Sequence, residues 1–318
     1  MDRRDFIKRV SGTTGLIIAS TGAGAFLHNR GKHDSPTIGF SGKDFVVEDN
    51  PDLPKVTACK HPDPVKALNA ALTAIGGISR FIQTGDKVLI KPNVAWDRTP
   101  EQAANTHPAL VAEMTRLCLE AGAGEVVVSD VTCNDPRRTF IRSGIKEAAE
   151  AAGATVTLME DNTYQEVAID GEFVTVWPVM KPLLNADKLI NMPVVKHHSL
   201  ATCTIGMKNL YGIVGGRRNK MHQQIEQSIV DLATFAVPTL TVIDATRVLM
   251  RNGPQGGDLA DVETPETVLC ATDIVAGDAR ACQFLGLKAE EVGHIVAGEK
   301  AGLGTMDYEA AGYVEVTA

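Results

Sequence analysis

Short apolar runs alternate with helical segments along the chain, and this alternation limits the possible folds more than any other feature. The runs at 56–59, 87–90 and 125–129 have the length and residue types of buried strands. Apolar residues recur at helical spacing over 64–81, a Thr-His-Pro cap begins a second helical stretch at 106–120, and a third helix is predicted at 136–152. Strand–helix–strand units of this length predict an α/β fold, with a mostly parallel sheet and helices on both faces.

One segment interrupts this alternation. Residues 166–177 contain two apolar runs on either side of Asp170-Gly171, which predicts a β-hairpin inserted into the α/β fold. The alternation then resumes. We predict a strand at 188–192, a helix at 199–214 and a strand at 239–243.

The N-terminus has the features of an export signal. Arg3-Arg4, followed by a mildly apolar stretch, resembles the consensus of the twin-arginine pathway. The stretch at 10–27 is too short and too polar for a membrane span, and 23–25 offers a small-x-small cleavage site. We therefore predict export with the twin-arginine translocase as partner, a periplasmic or extracytoplasmic location, and no stable membrane span after cleavage. A basic, solvated N-terminus is the alternative.

The expected domain order follows from these segments. A signal peptide is predicted at 1–30, a linker or extended arm at 31–54 and one α/β domain at 55–318. The length also allows that domain to divide into two lobes, 55–165 and 166–318.

Charge and missing motifs exclude several classes of function. The formal net charge is −8, and nucleic-acid binding requires a cationic face, so nucleic acid is not expected as a partner. None of the six cysteines forms a C-x-x-C pair, which leaves no iron–sulfur or zinc-ribbon motif. The sequence also lacks a Walker loop, a dinucleotide-binding glycine motif after the first strand and a serine-hydrolase elbow.

The stretch 191–220 gathers the most reactive side chains. His197, His198 and Cys203 are candidate metal ligands, because imidazole and thiolate suit zinc, nickel, copper or iron. Adjacent histidines in a loop do not easily point the same way, so one of the two can be a ligand while the other is not. Cys203 is predicted in the first turn of a helix, which would lower the pKa of its thiol. The alternative is a structural loop with a buried cysteine.

A second group of polar residues predicts an anion site. Lys91, Asn93, Asp130 and Cys133 follow predicted strands, and ligands of parallel sheets bind beyond the carboxyl ends of the strands. Lysines at these strand ends, together with the glycine turn and the cations at 215–220, could bind a carboxylate or a phosphate. A solvated basic loop is the alternative. The anion-binding candidates are Lys91, Asn93, Asn209, Arg217 and Asn252.

The catalytic candidates lie in the same part of the predicted fold. They are Lys196, Lys208, Asp244 and Asp273. The two lysines would orient the substrate, and the two aspartates follow predicted strands, where each would act as an acid, a base or a further metal ligand. Helix capping is the alternative for the aspartates.

Nine short segments between residues 85 and 305 carry a resemblance to a known family. They are 88–93, 106–108, 120–123, 196–204, 208–212, 242–246, 252–254, 273–278 and 302–304. In this order they resemble the domain of unknown function 362 family, whose chemistry is unassigned. Many relatives carry an extra cysteine-rich ferredoxin-like segment. This chain lacks that segment, so the resemblance implies no iron–sulfur cluster here.

Together these patterns predict an exported enzyme with a metal or redox centre and a small anionic molecule as its ligand. The cofactor is left open, and a transition metal is the candidate. Two alternatives stay open. One is a non-catalytic periplasmic protein that binds an anion or a metal. The other is an accessory subunit of a redox complex.

Overall fold

Eleven strands hydrogen-bond into one sheet in the computed structural model, which describes residues 45–318 of the chain. The strands are β1 Val56–Lys60, β2 Lys87–Pro92, β3 Glu125–Val128, β4 Thr155–Val156, β5 Tyr164–Ala168, β6 Val176–Met180, β7 Lys188–Met192, β8 Val194–His198, β9 Thr202–Thr204, β10 Leu240–Leu249, β11 Val262–Glu263, β12 Thr267–Ala271 and β13 Tyr313–Val316. The sheet contains all of them except β5 and β6, which pair with each other.

The sheet follows the path β13-β1-β12-β10-β7-β2-β3-β4, with β8 and β11 also paired to β10, and β9 paired to β8. Neighbours from β10 to β4 along this path are parallel. Strand β12 runs antiparallel to both β1 and β10. The prediction of an α/β fold with a mostly parallel sheet is confirmed.

Helices cover both faces of this sheet. They are α1 Pro64–Ala74, α2 Pro108–Glu120, α3 Pro136–Arg142, α4 Ile145–Ala151, α5 Lys181–Asn185, α6 Gly206–Asn209, α7 Ile225–Phe235, α8 Ile274–Ala281 and α9 Gly293–Lys300. Side chains alternate across a strand, so Leu89 of β2 joins one apolar core while Val88 and Ile90 join the other. The core with Leu89 includes α7, α8 and α9, and the core with Val88 includes α1, α2 and α4.

Short 3₁₀ helices connect several of these elements. They lie at Ile78–Arg80, Pro100–Gln102, Asp161–Thr163, Leu210–Ile213, Arg218–Gln224, Leu259–Asp261, Cys282–Leu285 and Ala289–Glu291. Two of them, Leu210–Ile213 and Arg218–Gln224, carry side chains of the candidate site described below.

The predicted hairpin is present, and its connection is longer than the tight turn that was expected. Strands β5 and β6 are antiparallel and joined by residues 169–175. The Asp231 carboxylate of α7 accepts hydrogen bonds from three consecutive N–H groups of this connection, those of Glu172, Phe173 and Val174. These bonds attach the hairpin to α7, while backbone bonds within the connection, such as that from the Gly171 N–H to the Val174 carbonyl at 3.1 Å, close the hairpin itself.

The helix predicted at 199–214 is wrong. A turn at 199–201 reverses the chain into β9, which pairs antiparallel with β8, and α6 begins only after that strand. The β-branched residue Thr204 favours the extended backbone of β9, whereas Thr202, at the start of the strand, has φ +64°. Apolar spacing in this stretch therefore reflects burial in a strand and a short helix, not one continuous helical face.

Glycines shorten two other predicted helices. The helix predicted at 64–81 ends at Ala74, close to Gly76 with φ +111° and Gly77 with φ +73°. The helix predicted at 136–152 divides at Gly144, where φ is +72°. A left-handed residue cannot continue a right-handed helix, and glycine adopts that conformation without steric cost.

Residues 1–44 lie outside the described part of the chain, and with them the predicted signal peptide and most of the predicted linker at 31–54. Within residues 45–318, every helix is too short or too polar to cross a membrane. All six cysteines are described and free; Cys133 is exposed and the other five are buried.

Candidate functional site

A cavity of about 470 Å³ lies at the carboxyl ends of β2, β3 and β8, where a parallel sheet is expected to bind ligands. Asn93 follows β2, Asp130 follows β3, and Lys196 and His198 belong to β8. Other lining residues include Trp96, Cys133, Thr204, Lys208, Asn209, Tyr211, Gly212, Arg218 and His222. The topology therefore brings polar side chains from distant parts of the sequence into one cavity.

A larger cavity, of about 720 Å³, lies at the opposite ends of β2 and β3. Its charged lining residues Lys87, Glu125 and Lys181 are all exposed. Exposed charges are well solvated and are not organised for a specific ligand. The smaller cavity is the better candidate site, because its lysines are buried.

A buried ion pair lies beside the smaller cavity. Lys91 Nζ is 2.6 Å from Asp130 Oδ1, and the two side chains are 0% and 3% exposed. The second Asp130 oxygen accepts a hydrogen bond from the Val94 N–H at 2.7 Å. Burial lowers the pKa of Lys91, and Asp130 opposes this effect. Both carboxylate oxygens are thus engaged, and Lys91 serves to hold Asp130 at the cavity wall.

Gly212 allows the backbone to approach this ion pair. A β-carbon at position 212 would clash with the Asp130 carboxylate and lie 2.6 Å from Lys91 Nζ. The Gly212 carbonyl also accepts a hydrogen bond from the Val131 N–H at 3.0 Å. Only a residue without a side chain fits here, so the backbone of Gly212 packs directly against one side of the ion pair.

A directional series of hydrogen bonds leads away from the cavity. Lys196 Nζ donates to Asn93 Oδ1 at 2.9 Å, and Asn93 Nδ2 donates to Asn209 Oδ1 at 2.9 Å. Asn209 Nδ2 then donates to Asn191 Oδ1 at 2.8 Å. Asn191 Nδ2 ends the series at the carbonyl of Gly206, at 3.0 Å. Because each amide both accepts and donates, its orientation is fixed, and the bonds reinforce one another.

Lys196 is held as a donor by two oxygens. Besides Asn93 Oδ1, its Nζ donates to the carbonyl of Ala104 at 2.6 Å, which leaves one ammonium N–H for a ligand. The side chain is 1% exposed, and burial lowers its pKa to about 7. Neutral oxygens partly replace water around this ammonium, but no carboxylate offsets its charge directly.

Lys208 has a different environment. Its side chain is largely buried, and its Nζ lies 3.5 Å from the centre of the Tyr211 ring. Burial, and then the charge of Arg218, lower its pKa from 10.5 to about 7. The contact with the Tyr211 ring favours the ammonium form and opposes part of this lowering.

His198 is a neutral donor. Its Nδ1 accepts hydrogen bonds from the N–H groups of Leu200 at 3.1 Å and Ala201 at 3.2 Å, so the proton of the neutral ring is on Nε2. Burial, together with Lys208 and Lys196, lowers the pKa of His198 to about 3. The ring is uncharged at ordinary pH and has an N–H, not a lone pair, available at Nε2.

Arg218 adds a cation at the mouth of the cavity. Its guanidinium donates to the carbonyl of Val131 at 3.0 Å and to that of Thr132 at 2.8 Å. Cys133 Sγ lies 3.8 Å from the same group. The neighbouring His222 stacks on Tyr211, with ring centres 5.9 Å apart. Arg218 thus makes only neutral contacts within the described residues, and its positive charge stays uncompensated.

Two of the predicted anion-binding residues lie elsewhere. Arg217 is exposed, and its neighbour Arg218 lines the cavity in its place. Asn252 donates to the Asp261 carboxylate at 2.6 Å, and of its loop only Pro254 reaches the cavity. The other three candidates, Lys91, Asn93 and Asn209, take part in the ion pair and the hydrogen-bond series.

The two aspartates predicted as catalytic residues are used to hold the backbone. Asp244 accepts hydrogen bonds from the His107 N–H at 2.8 Å and the Thr246 N–H at 3.0 Å. Asp273 caps α8 by accepting a hydrogen bond from the Ala276 N–H at 2.9 Å. Helix capping was the alternative role given for this residue. Neither residue lines the cavity, so Lys196 and Lys208 are the catalytic candidates that the fold brings together.

The predicted metal ligands are not gathered into one set. Successive strand residues point to opposite faces, so His198 faces the cavity while His197 lies opposite Cys203 in the β8–β9 register. Cys203 is in a strand, and burial raises the pKa of its thiol, which corrects the expected lowering. Within residues 45–318, no group of three or more His, Cys, Asp or Glu side chains is placed to hold a metal ion.

Three contributors are not singled out by the sequence patterns. Asn191 is a polar residue inside an apolar strand, a signal that it needs a buried hydrogen bond. Tyr211 follows Lys208 by three residues, the spacing of neighbours on a helical turn. Arg218 belongs to the cations at 215–220 that predict an anion site, but the sequence does not distinguish it from the neighbouring Arg217.

Comparison with known proteins places the chain in a family. Residues 88–283 match the family described as Domain of unknown function (DUF362). The thylakoid-associated protein sll1697 from Synechocystis sp. is 26% identical over 245 residues, which cover 74% of this chain and 74% of that protein.

Solved structures show weaker similarity. The lactate racemase apoprotein from Thermoanaerobacterium thermosaccharolyticum is 10% identical, with a TM-score of 0.43, over 77% of this chain and 62% of that one. A structural-genomics target from Thermotoga maritima is 12% identical, with a TM-score of 0.36, over 64% of this chain and 55% of that one. The chain therefore spans less than two thirds of either structure. The family match covers more than half of the chain and includes every residue that lines the cavity, so the chain belongs to the DUF362 family.

Proposed function

We propose that this chain is an enzyme that binds a small anionic molecule in the 470 Å³ cavity and acts on it through a buried lysine. One observation carries the proposal, namely the excess of positive charge over negative charge around the cavity. Lys196, Lys208 and Arg218 line it, whereas Asp130 is the one carboxylate among its lining residues in the described chain, and Lys91 already engages Asp130.

An anionic ligand would stabilise this arrangement. Buried ammonium groups without a carboxylate partner lose solvation energy that a bound anion returns. A carboxylate or phosphate accepts several hydrogen bonds, and Lys196 and Arg218 are suited to donate them. The cavity volume is within the range of roughly 300–1,000 Å³ that is common for small-molecule sites.

The lysines also support chemistry. A group whose pKa lies near the working pH exchanges protons most efficiently, and burial brings the pKa of Lys196 and of Lys208 to about 7. The proposal uses lysine chemistry because these side chains converge on the cavity, whereas the predicted metal ligands do not converge.

Anion affinity is expected to fall as the pH rises above about 7. A bound anion favours the ammonium forms and raises both lysine pKa values, so binding takes up protons. Above pH 7, each lysine that must be protonated should weaken binding by up to about tenfold per pH unit. The charged or titratable groups around the lysines are Lys91, Asp130, Cys133, His198, Tyr211, Arg218, His222 and His294.

Titration calorimetry with malonate and sulfate tests this expectation, because the charge of each anion stays constant between about pH 6.5 and 9. The exposed residue Lys220 provides the control, since Lys220→Met should leave the pH dependence unchanged. Affinity that does not change with pH would contradict the proposed role of the lysines. Binding without chemical change of any ligand would favour the non-catalytic binding protein.

We also propose that the chain is exported by the twin-arginine pathway. The support is the Arg3-Arg4 sequence and the small-residue stretch after it. Replacing both arginines with lysine should retain the protein in the cytoplasm, as measured by cell fractionation and immunoblotting. Arg9→Lys, outside the pair, should leave export unchanged. Export of the double variant at the normal level would contradict this proposal.

A further inference from the structure

The three buried lysines at this site differ in what their nitrogen atoms contact. Lys91 is paired with a carboxylate, and Lys196 donates to two oxygens. Lys208 Nζ has no oxygen acceptor within the described residues, and its contact is the face of the Tyr211 ring. Its side chain is 7% exposed and lines the cavity. Lys208 is thus a largely buried side chain that lines the cavity, and its Nζ makes no hydrogen bond to another described residue.

This difference separates the roles of Lys196 and Lys208. Oxygen acceptors stabilise an ammonium ion, so Lys196 is the better carrier of positive charge. Lys208 lacks such acceptors, and the nearby charges of Arg218 and Lys196 disfavour another cation. Desolvation and cationic neighbours are the two conditions that turn a lysine into a neutral nucleophile.

The position of Lys208 is also well fixed. The Tyr211 hydroxyl donates to the carbonyl of Met221 at 3.2 Å, which holds the ring beneath the Lys208 amine. At the start of α6, the Asp278 carboxylate accepts hydrogen bonds from the N–H groups of Gly206 and Met207 at 2.7 Å and 3.0 Å. A nucleophile held in this way loses little entropy when it reacts.

We propose that Lys208 forms an imine with the carbonyl group of a small oxo acid, whose carboxylate is held by the other cations of the cavity. The inference rests on the anion-binding function proposed above and adds the class of ligand and the reacting atom. An oxo acid combines the two groups that the cavity can recognise, an anion for Lys196 and Arg218 and a carbonyl carbon for the Lys208 amine.

The reaction is a condensation that needs no oxidant or reductant. The Lys208 nitrogen forms a bond to the carbonyl carbon, and the carbonyl oxygen takes one proton from the nitrogen and one from solvent. The carbon–oxygen bond then breaks and water leaves. The product is a protonated imine. Its nitrogen keeps one of the two amine hydrogens, and its single positive charge comes from the proton that was taken from solvent.

Borohydride reduction tests this proposal on the full-length protein. Pyruvate and 2-oxoglutarate are the probes, and the corresponding 2-hydroxy acids are matched ligands that cannot form an imine. Binding of each acid is first measured by calorimetry. The protein is then incubated with each oxo acid and sodium borohydride, digested and analysed by mass spectrometry. The expected product is a secondary amine on Lys208, with the mass of the oxo acid less one oxygen atom.

The outcomes separate this inference from the function on which it rests. Labelling of Lys208 well above that of the exposed Lys220, and only with an oxo acid, supports the imine. Binding of the acids without labelling, or labelling of Lys196 in place of Lys208, overturns the imine and leaves the anion site intact. Failure of the oxo acids to bind overturns the imine alone, and failure of malonate and sulfate as well overturns both proposals. Peptide mapping of the unsubstituted protein gives these answers even if a Lys208 variant does not fold.

Discussion

Replacing Asp130 with alanine is expected to destabilise the fold by about 3–5 kcal/mol, the usual cost of leaving one member of a buried ion pair alone. The substitution removes both the partner of Lys91 and the acceptor of the Val94 N–H. Lys91 would keep only the carbonyl of Pro92, at 3.1 Å. Urea denaturation at neutral pH measures the loss in the free energy of unfolding.

A surface ion pair of this chain is the matched control. Lys55 and Asp49 are 2.8 Å apart, but their side chains are 41% and 61% exposed. Asp49→Ala should cost no more than about 1 kcal/mol, because water screens the pair. Adding Lys91→Met to Asp130→Ala should recover part of the loss, since no buried charge then remains. Equal costs for the two alanine variants would contradict the view that burial makes the Asp130 pair important.

Replacing Lys208 with methionine is expected to stabilise the fold and weaken anion binding. Methionine fills a similar volume without a charge, and Lys208 has no oxygen partner in the described residues to leave unsatisfied. The gain in the free energy of unfolding should be about 1–4 kcal/mol at pH 7 or below. Malonate affinity should fall at least about tenfold, which is about 1.4 kcal/mol.

The sign of the stability change depends on pH in a defined way. The pKa of Lys208 is about 7 in the folded protein and 10.5 when the group is fully solvated, so the unfolded chain binds more protons between these values. Wild-type stability therefore rises with pH in this interval. The advantage of Lys208→Met should be largest below pH 7 and should vanish towards pH 10.5. A variant whose advantage grows with pH would contradict this account.

Lys196→Met provides the comparison for this prediction. It also removes a buried charge, but it leaves Asn93 Oδ1 and the carbonyl of Ala104 without their donor. Each unsatisfied buried acceptor costs about 1–3 kcal/mol, which offsets the relief of desolvation. The two lysine variants should thus differ in stability although both lose anion affinity.

Strand ends were the most informative signal for locating the site. Short apolar runs precede Asn93, Asp130 and Cys133 in the sequence. Parallel strands bring the residues at their carboxyl ends to one edge of the sheet, and this rule is sufficient to place the three together. The same rule fails for Asp244, because β10 continues beyond it to Leu249. A residue inside a long strand is not at the end of the sheet.

Residues 199–214 show why the rest of the site could not be predicted. Local spacing favours a helix there, but pairing of β9 with β8 determines the structure, and that pairing joins two strands across a turn. Because of this error, Cys203 was expected at the start of a helix, where the pKa of its thiol would be lowered. In the structure Cys203 lies in a strand, and burial raises the pKa of its thiol. The Asn191–Asn209 bond likewise joins residues 18 apart, beyond the reach of any helical or strand period.

The lining of the cavity also determines which charge patterns it accepts. Lys196, Arg218 and the Nε2–H of His198 offer hydrogen-bond donors, while the Asp130 carboxylate is engaged by Lys91. A zwitterion such as an amino acid carries an ammonium group that would meet like charges there and find no free carboxylate. An oxo acid of the same carbon skeleton avoids this repulsion. If the cavity binds an oxo acid as proposed, its charges would discriminate against the amino acid without a steric filter.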